Sequence, residues 1–327
     1  MSLSINTNVN SMIALENLSS TQSQLSQTQN AISTGKKVSS ASDNPASYGI
    51  ASQINNDISG QNTVNDGLSY ASRINTTASS ALASIGSVLD NLRGSVTSLG
   101  QHVGDPSSLS SLNDTITGDI NQINTIARNS TLQGVNLLTA GTGDGLGITT
   151  NNLSFVTGLR GETQTTSGFA SVFAASSGAD ASKAGSLSDL LGLSKTTTMG
   201  GDATANVFVT GSGNSIALAT AGTQVSGSGL NDGTKTLASL IEIVSKAKDS
   251  ISNVAGKLGA NQQTIDTMSS FGQVTSDSLT AAGGALTDAD MASESAKQTS
   301  LQTKQSLGIK SLSISNSQSQ NILQLFQ

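Results

Sequence analysis

VNDGLSYASRINTTASSALASIGSVLDNLRGSVTSL, residues 64–99, carries an apolar repeat with a period of seven that runs without a slip. One seam takes Leu68, Leu82, Leu89 and Val96, with Asn75 as its polar exception. The companion seam takes Val64, Ala71, Ala78, Ile85, Leu92 and Leu99. Spacings that alternate between three and four place such residues on one stripe of an α-helix, and a strict heptad makes that stripe a coiled-coil seam. With a lead-in from Ser47, the helix would run roughly 75–80 Å at about 1.5 Å per residue. A rod of that length needs a partner of similar length.

The partner lies in the other half of the chain. From Leu237 to Leu286 one seam takes Leu237, Val244, Ile251, Leu258, Ile265, Leu279 and Leu286, and its companion takes Leu240, Ala247, Val254, Met268 and Ala282. Asn261, Gly272 and Thr275 weaken this register without breaking it. The two segments read as an antiparallel pair. A third helix fits Leu109 to Ala127, with Leu112, Ile116, Ile120 and Ile123 on one face and Asp105-Pro106 as its start signal.

Both ends of the chain are apolar on more than one face. Ala14, Leu18, Leu25 and Ile32 share a seam near the N-terminus, and Leu301, Leu312, Ile322 and Phe326 share one near the C-terminus. Met12, Leu15, Leu307, Ile309, Ile314 and Leu325 point elsewhere on the same helices, and Leu323 adds to the closing apolar run. A helix apolar all round must be buried all round. One intramolecular partner cannot do that, whereas neighbouring copies can. Ordering each residue costs about 1–2 kcal/mol, so these ends are expected to be largely disordered in a free subunit and to fold on assembly.

Between the helical halves, from Thr139 to Lys235, Gly, Ser and Thr dominate and the heptads vanish. Leu146–Thr150 and Leu153–Val156 flank Asn151-Asn152, which suggests a hairpin, and Asn206–Thr210 with Ser215–Thr220 suggests a second. A short helix fits Ser186 to Leu193. The expected fold is therefore mainly α: long antiparallel coiled-coil helices from both termini with a small β-containing central outer module.

Composition agrees with thin helical layers. The 327 residues are 35% hydrophobic, 2% aromatic and 11% charged, with 34 glycines. Too few bulky side chains are present to fill a thick core. A net charge of -6 gives no reason to expect nucleic acid or anionic lipid as a partner. No apolar run approaches the roughly 20 residues that cross a membrane, and the N-terminus lacks the pattern of a secretory signal. Cysteine is absent, which removes disulfides, thiolate metal sites and Cys nucleophiles.

The chemistry-bearing residues have structural readings. His102 is the only histidine, no Gly-x-Ser-x-Gly elbow accompanies it, and it reads as an exposed loop residue. A single histidine and no cysteine leave no zinc set, and no cofactor is expected. Asp288 and Asp290 open the last helix, where acidic groups complement the helix dipole. Glu294 and Lys297 have the spacing of a surface pair. The glycine-rich GTGDGLG at 141–147 lacks the Lys-Ser/Thr of a phosphate loop and reads as a turn. Gln61, Asn75 and Asn261 are polar residues at seam positions, which can fix register. Gly60, Gly67, Gly86 and Gly94 would each cost about 1 kcal/mol relative to Ala, and could serve close helix packing or small subunit shifts.

Several stretches resemble bacterial flagellins. At the N-terminus these are SINTNVNSMIALENL and LSQTQNAISTGKKVSSASDNPASYGIASQI, with Ser33-Thr34-Gly35, Val38-Ser39-Ser40 and Ser42-Asp43-Asn44-Pro45-Ala46 matching the family's turn into its long helix. NSTLQGVNLL (Asn129 to Leu138) resembles the segment that closes the third core helix. The tightest match is LTDADMASESAKQTSLQTKQSLGIKSLSISNSQSQNILQLF at the C-terminus. The central region shows no useful match. Its shortness is that of the compact flagellins.

The resemblance implies inner-core terminal helices over 1–42 and 287–327, an outer-core helical bundle over 43–138 and 236–286, and a β-hairpin and variable surface module over 139–235. It implies a self-assembling structural subunit of the bacterial flagellar filament, extracellular and serving swimming motility, exported unfolded through the flagellar type III channel. The implied partners are copies of itself, the hook-junction and cap proteins and an export chaperone. Leu18, Leu25, Ile32, Leu301, Leu307, Leu312, Ile322, Leu323, Leu325 and Phe326 would pack the filament core. Leu68, Leu82, Leu89, Leu92, Val96, Val244, Ile251, Leu258 and Ile265 would form the intrachain seam. Arg93 stands where many flagellins carry an Arg-Glu-Leu patch read by an innate immune receptor, but Gly94 and Ser95 follow it, which departs from that pattern. A hook–filament junction protein of the same superfamily is the alternative, and the density of C-terminal matches favours flagellin. A secreted coiled-coil effector would need longer apolar stretches, and an enzyme would need chemistry that the central segment lacks.

Overall fold

The structure is a computed structural model that describes residues 8–103, 105–139, 147–166, 187–195, 205–210, 217–218 and 237–325. The described helices are α1 (Val9–Thr34), α2 (Pro45–Leu99), α3 (Pro106–Asn129), α4 (Leu187–Leu190), α5 (Leu237–Thr287) and α6 (Met291–Leu325). The strands are β1 (Leu153–Val156), β2 (Thr163–Thr166), β3 (Ser194–Lys195), β4 (Ala205–Asn206), β5 (Val209–Thr210) and β6 (Ala217–Leu218). They form three antiparallel pairs, β1 with β2, β3 with β4 and β5 with β6. The chain divides into two compact units, residues 1–60 with 275–327, and residues 61–274.

In the unit 61–274 the heptad seams do what their period demands. Leu68, Leu82, Leu89, Leu92, Val96, Val244, Ile251, Leu258 and Ile265 are all buried in one apolar core. Contacts between α2 and α5 show an antiparallel register. Gly100 lies against Leu237, and Gly272 lies against Gln61 and Asn65. Lys248 pairs with Asp90, and Gln262 Nε2 donates to Ser72 Oγ at 2.8 Å. Asn75, 1% exposed, donates through Nδ2 to the Leu258 carbonyl at 2.9 Å and to Gln262 Oε1 at 3.0 Å. Gln61 is also buried, whereas Asn261 is half-buried.

Helix α3 starts where Asp105-Pro106 predicts. Asp105 accepts from the Ser107 N–H at 3.1 Å and the Ser108 hydroxyl at 2.6 Å, and these donors hold its carboxyl below the usual range, Ser108 foremost. After its end, Gln133 (φ +48°) and Gly134 (φ +84°) form a tight turn closed by two Leu132–Val135 backbone bonds of 3.0 Å. Buried Asn136 donates to the Ala127 carbonyl at 2.8 Å and accepts from the Leu138 N–H at 2.8 Å, satisfying backbone groups left open by the helix end. Helix α3 also packs against the central module. Asn124 and Ser188 exchange bonds of 2.8 and 3.0 Å, and Asn206 Nδ2 donates to Asn113 Oδ1 at 2.7 Å. Leu187, Leu191, Leu193, Val207 and Phe208 are buried in the same core.

The structure corrects several expectations. Asn151-Asn152 does not turn a hairpin, because the strips on either side have other partners. Val135 bridges Thr150, the Thr149 N–H donates to the Gly134 carbonyl at 2.7 Å, and β1 pairs with β2 across a turn containing Gly158 and Gly161. Leu146 lies outside the described residues. Of the second expected hairpin, Val209–Thr210 and Ala217–Leu218 pair as β5–β6, Asn206 pairs with Ser194 in β3–β4 instead, and residues 211–216 and 219–220 lie outside the described residues; the short helix is α4. Ala282 is exposed rather than seamed. Among the described residues nothing lies within 4 Å of where a side chain at Gly67, Gly86 or Gly94 would begin, so these glycines do not serve packing between the described helices. His102 is half-buried rather than exposed, with Nδ1 on the Ser98 carbonyl at 2.9 Å.

Candidate assembly interface

In the other unit, α1 and α6 pair antiparallel. Asn8 Nδ2 donates to the Ser315 carbonyl at 3.2 Å, Ser11 Oγ reaches Asn316 Oδ1 at 3.2 Å, and Gln305 Nε2 donates to Gln22 Oε1 at 2.5 Å. Gly308 sits against Leu18 across the pair. Asn8 also caps α1 by accepting from the Ser11 N–H at 3.0 Å.

The turns that feed these helices are tied to one another. Gly35, at φ +70°, ends α1 in the left-handed region. Just beyond it, the Lys37 N–H donates to the Thr287 carbonyl at 2.7 Å and the Ala289 N–H donates to the Gly35 carbonyl at 2.9 Å. Lys37 Nζ caps the end of α5 by donating to the Ala285 carbonyl at 3.0 Å. Asp43 gathers the Ser39 and Ser40 N–H groups at 2.9 Å each, which lowers its pKa, the Ser39 backbone bond contributing most. Of the two aspartates expected to serve the last helix, Asp290 caps it, accepting from the Ala292 N–H at 3.0 Å. Asp288 instead joins Lys36 in a β-bridge, and its own N–H is spent on the Gly284 carbonyl at 2.7 Å.

Burial falls away from these turns. Leu25 and Thr28 of α1 and Leu301 of α6 are buried, while Leu18, Ile32 and Leu312 are half-buried. Met12, Leu15, Leu307 and Ile314 are 58–67% exposed, and Val9, Ile13 and Ile309 are exposed beside them. Ile322, Leu323 and Leu325 lie on α6, and Phe326 lies outside the described residues. The paired helices therefore cover one narrow stripe of each other and leave large aliphatic side chains in water, an arrangement that soluble surfaces avoid unless a partner covers it.

Among the described residues no group of three or more His, Asp or Glu side chains is placed to hold a metal. Glu294 and Lys297 form a 3.5 Å surface pair. Arg93 is exposed on α2.

Residues 5–142 match the family model of the bacterial flagellin N-terminal helical region, and residues 241–326 match that of the bacterial flagellin C-terminal helical region. The chain is 33% identical to flagellin FljM of Caulobacter vibrioides over 99% of its length and 98% of the relative. The chain belongs to the bacterial flagellin family. This flagellin is also 30% identical to the flagellin of Brucella melitensis over 99% of both chains, and 30% identical to flagellin C of Rhizobium meliloti over 99% of both. These alignments span the central module, most of which neither family model reaches. Sequence reading missed Gln262 as the partner of Asn75, and the Lys37–Ala285 cap. The first was findable as a polar residue beside a seam position, and the second needed tertiary proximity.

Proposed function

We propose that this flagellin polymerises by burying the outer faces of the α1/α6 pair against identical copies, forming a filament in which the unit 61–274 is preassembled. The aliphatic side chains left exposed on both helices carry this reading. Burying each gains about 1.5–3 kcal/mol gross, and several together offset the ordering of the two ends. Ile322, Leu323, Leu325 and Phe326 belong to the same surface on this reading. Residues 1–42 and 287–327 form the inner core, 43–138 and 236–286 the outer core, and 139–235 the surface module.

The filament is extracellular and its subunit is structural, without catalysis of its own. Export proceeds unfolded through the flagellar type III channel, which suits a chain without cysteine. A chaperone that shields the sticky ends before export, and hook-junction and cap proteins that meet them at the filament's two ends, complete the set of partners. Arg93, without a following Glu-Leu, gives an innate receptor a weak hold at most.

Electron microscopy of the purified chain tests the proposal. Long helical filaments are expected above a critical concentration, and removal of residues 1–20 should abolish them while leaving the helical signal of the remaining chain. Filaments that form equally well without those residues would refute it.

A further inference from the structure

Helix α1 carries one charged residue, Glu16, over its whole length. It lies nine residues before buried Leu25, and at 3.6 residues per turn that places it about 180° around the helix, facing away from α6. Helix α6 carries Glu294, Lys297, Lys304 and Lys310, and of these Lys310 alone stands opposite the buried stripe. Lys310 lies nine residues after buried Leu301 and so faces about 180° away from α1. Each charge is set among exposed aliphatic residues: Val9, Met12 and Ile13 beside Glu16, Leu307 and Ile314 beside Lys310. An open groove of about 920 Å³ follows the α1 face, with Met12, Ile13, Leu15 and Glu16 among its walls. Among the described residues neither Glu16 nor Lys310 makes an ion pair, whereas Glu294 and Lys297 pair at 3.5 Å.

Covering either aliphatic face removes water from the charge in its middle. A desolvated carboxylate or ammonium with no counter-ion costs several kcal/mol, more than an aliphatic neighbour returns. The two faces are therefore poor partners for themselves and complementary to each other. We infer that the Glu16 face of α1 docks on the Lys310 face of α6 in the next copy, with Glu16 and Lys310 paired across the junction. This rests on polymerisation through the terminal helices and names the contact that drives it. Because the two surfaces differ, the contact is head-to-tail, the kind that propagates into a helical polymer rather than closing as a dimer.

Charge exchange in the full chain tests the pairing. Glu16→Lys and Lys310→Glu should each raise the critical concentration for filament formation at least about tenfold, and the double exchange should return it to within about threefold of wild type, read by sedimentation and electron microscopy. Below the critical concentration, circular dichroism of the monomers should show the same helical content in all four chains, since both side chains are exposed. Single variants that polymerise like wild type, or a double variant no better than the singles, would overturn the pairing while wild-type filaments still stand. A wild-type chain that forms no filaments would instead remove the self-assembly reading itself.

Discussion

Asn75 offers a sharp test of how the α2/α5 seam is held. Its Nδ2 makes two hydrogen bonds, to the Leu258 carbonyl and to Gln262, while its Oδ1 is buried without a hydrogen-bond partner among the described residues. Asn75→Leu removes both bonds, a net loss of about 0.5–1.5 kcal/mol each, and also removes an orphaned acceptor that costs about 1–3 kcal/mol. The Leu258 carbonyl can keep its bond within the helix, and half-buried Gln262 still reaches Ser72 and Asp266. The leucine adds about 1.5–3 kcal/mol of apolar burial, part of it lost to imperfect fit. The balance favours the variant by about 1–2 kcal/mol, a rise in Tm of roughly 3–6 °C for a unit of this size. Asn75→Ala also sheds the orphaned acceptor but leaves the space unfilled, so it should fall below wild type by no more than about 1 kcal/mol and below Asn75→Leu by more. Thermal and urea unfolding of the monomer followed by circular dichroism read both. If Asn75→Leu proved less stable than wild type by more than about 1 kcal/mol, the polar rung would be a net source of stability, and this reasoning would be wrong.

Three further outcomes follow from the same structure. Leu89→Ala empties a fully buried position of the core and should destabilise the monomer by about 2–5 kcal/mol in urea titration. Gly86→Ala meets no neighbouring atom among the described residues, so it should stabilise the monomer by about 0.5–1 kcal/mol; a rise in the critical concentration of the same variant would place a neighbouring subunit at that glycine. Burial raises the pKa of Asp119, whose Oδ2 has no hydrogen-bond partner among the described residues. A raised carboxyl pKa means stability that is complete below the unfolded value of about 3.9 and lost as pH rises through the folded value. Asp119→Asn should therefore raise Tm at pH 7 and leave it unchanged near pH 3.

What the sequence made legible follows from how local each signal is. The seams of α2 and α5 could be read because a heptad is a property of one helix, and Leu68 to Leu258 fall where their period puts them. The excess apolarity of α1 and α6 was equally legible, since Met12 and Leu307 lie off the seams whatever the partner. The start of α3 was carried by Asp105-Pro106 alone. The Asn151-Asn152 hairpin misled because turn chemistry says where a chain bends, not which strand it meets. Here Gly134, at φ +84°, brings its backbone against Thr149 and captures that strip first. The clasp between Gly35 to Val38 and Thr287 to Ala289 was hidden for a related reason. Its bonds are made by backbone groups that every residue possesses, so side-chain identity gives no sign of them.

The account rests on terminal helices that find full cover only among identical copies, and hydrogen exchange on free and polymerised chain measures that directly. Amides of residues 9–32 and 291–317 should exchange rapidly in the monomer and become protected by at least about a hundredfold in the filament, while those of Leu82 to Val96 are already slow in both. Equal protection of the terminal segments in both states would contradict the account.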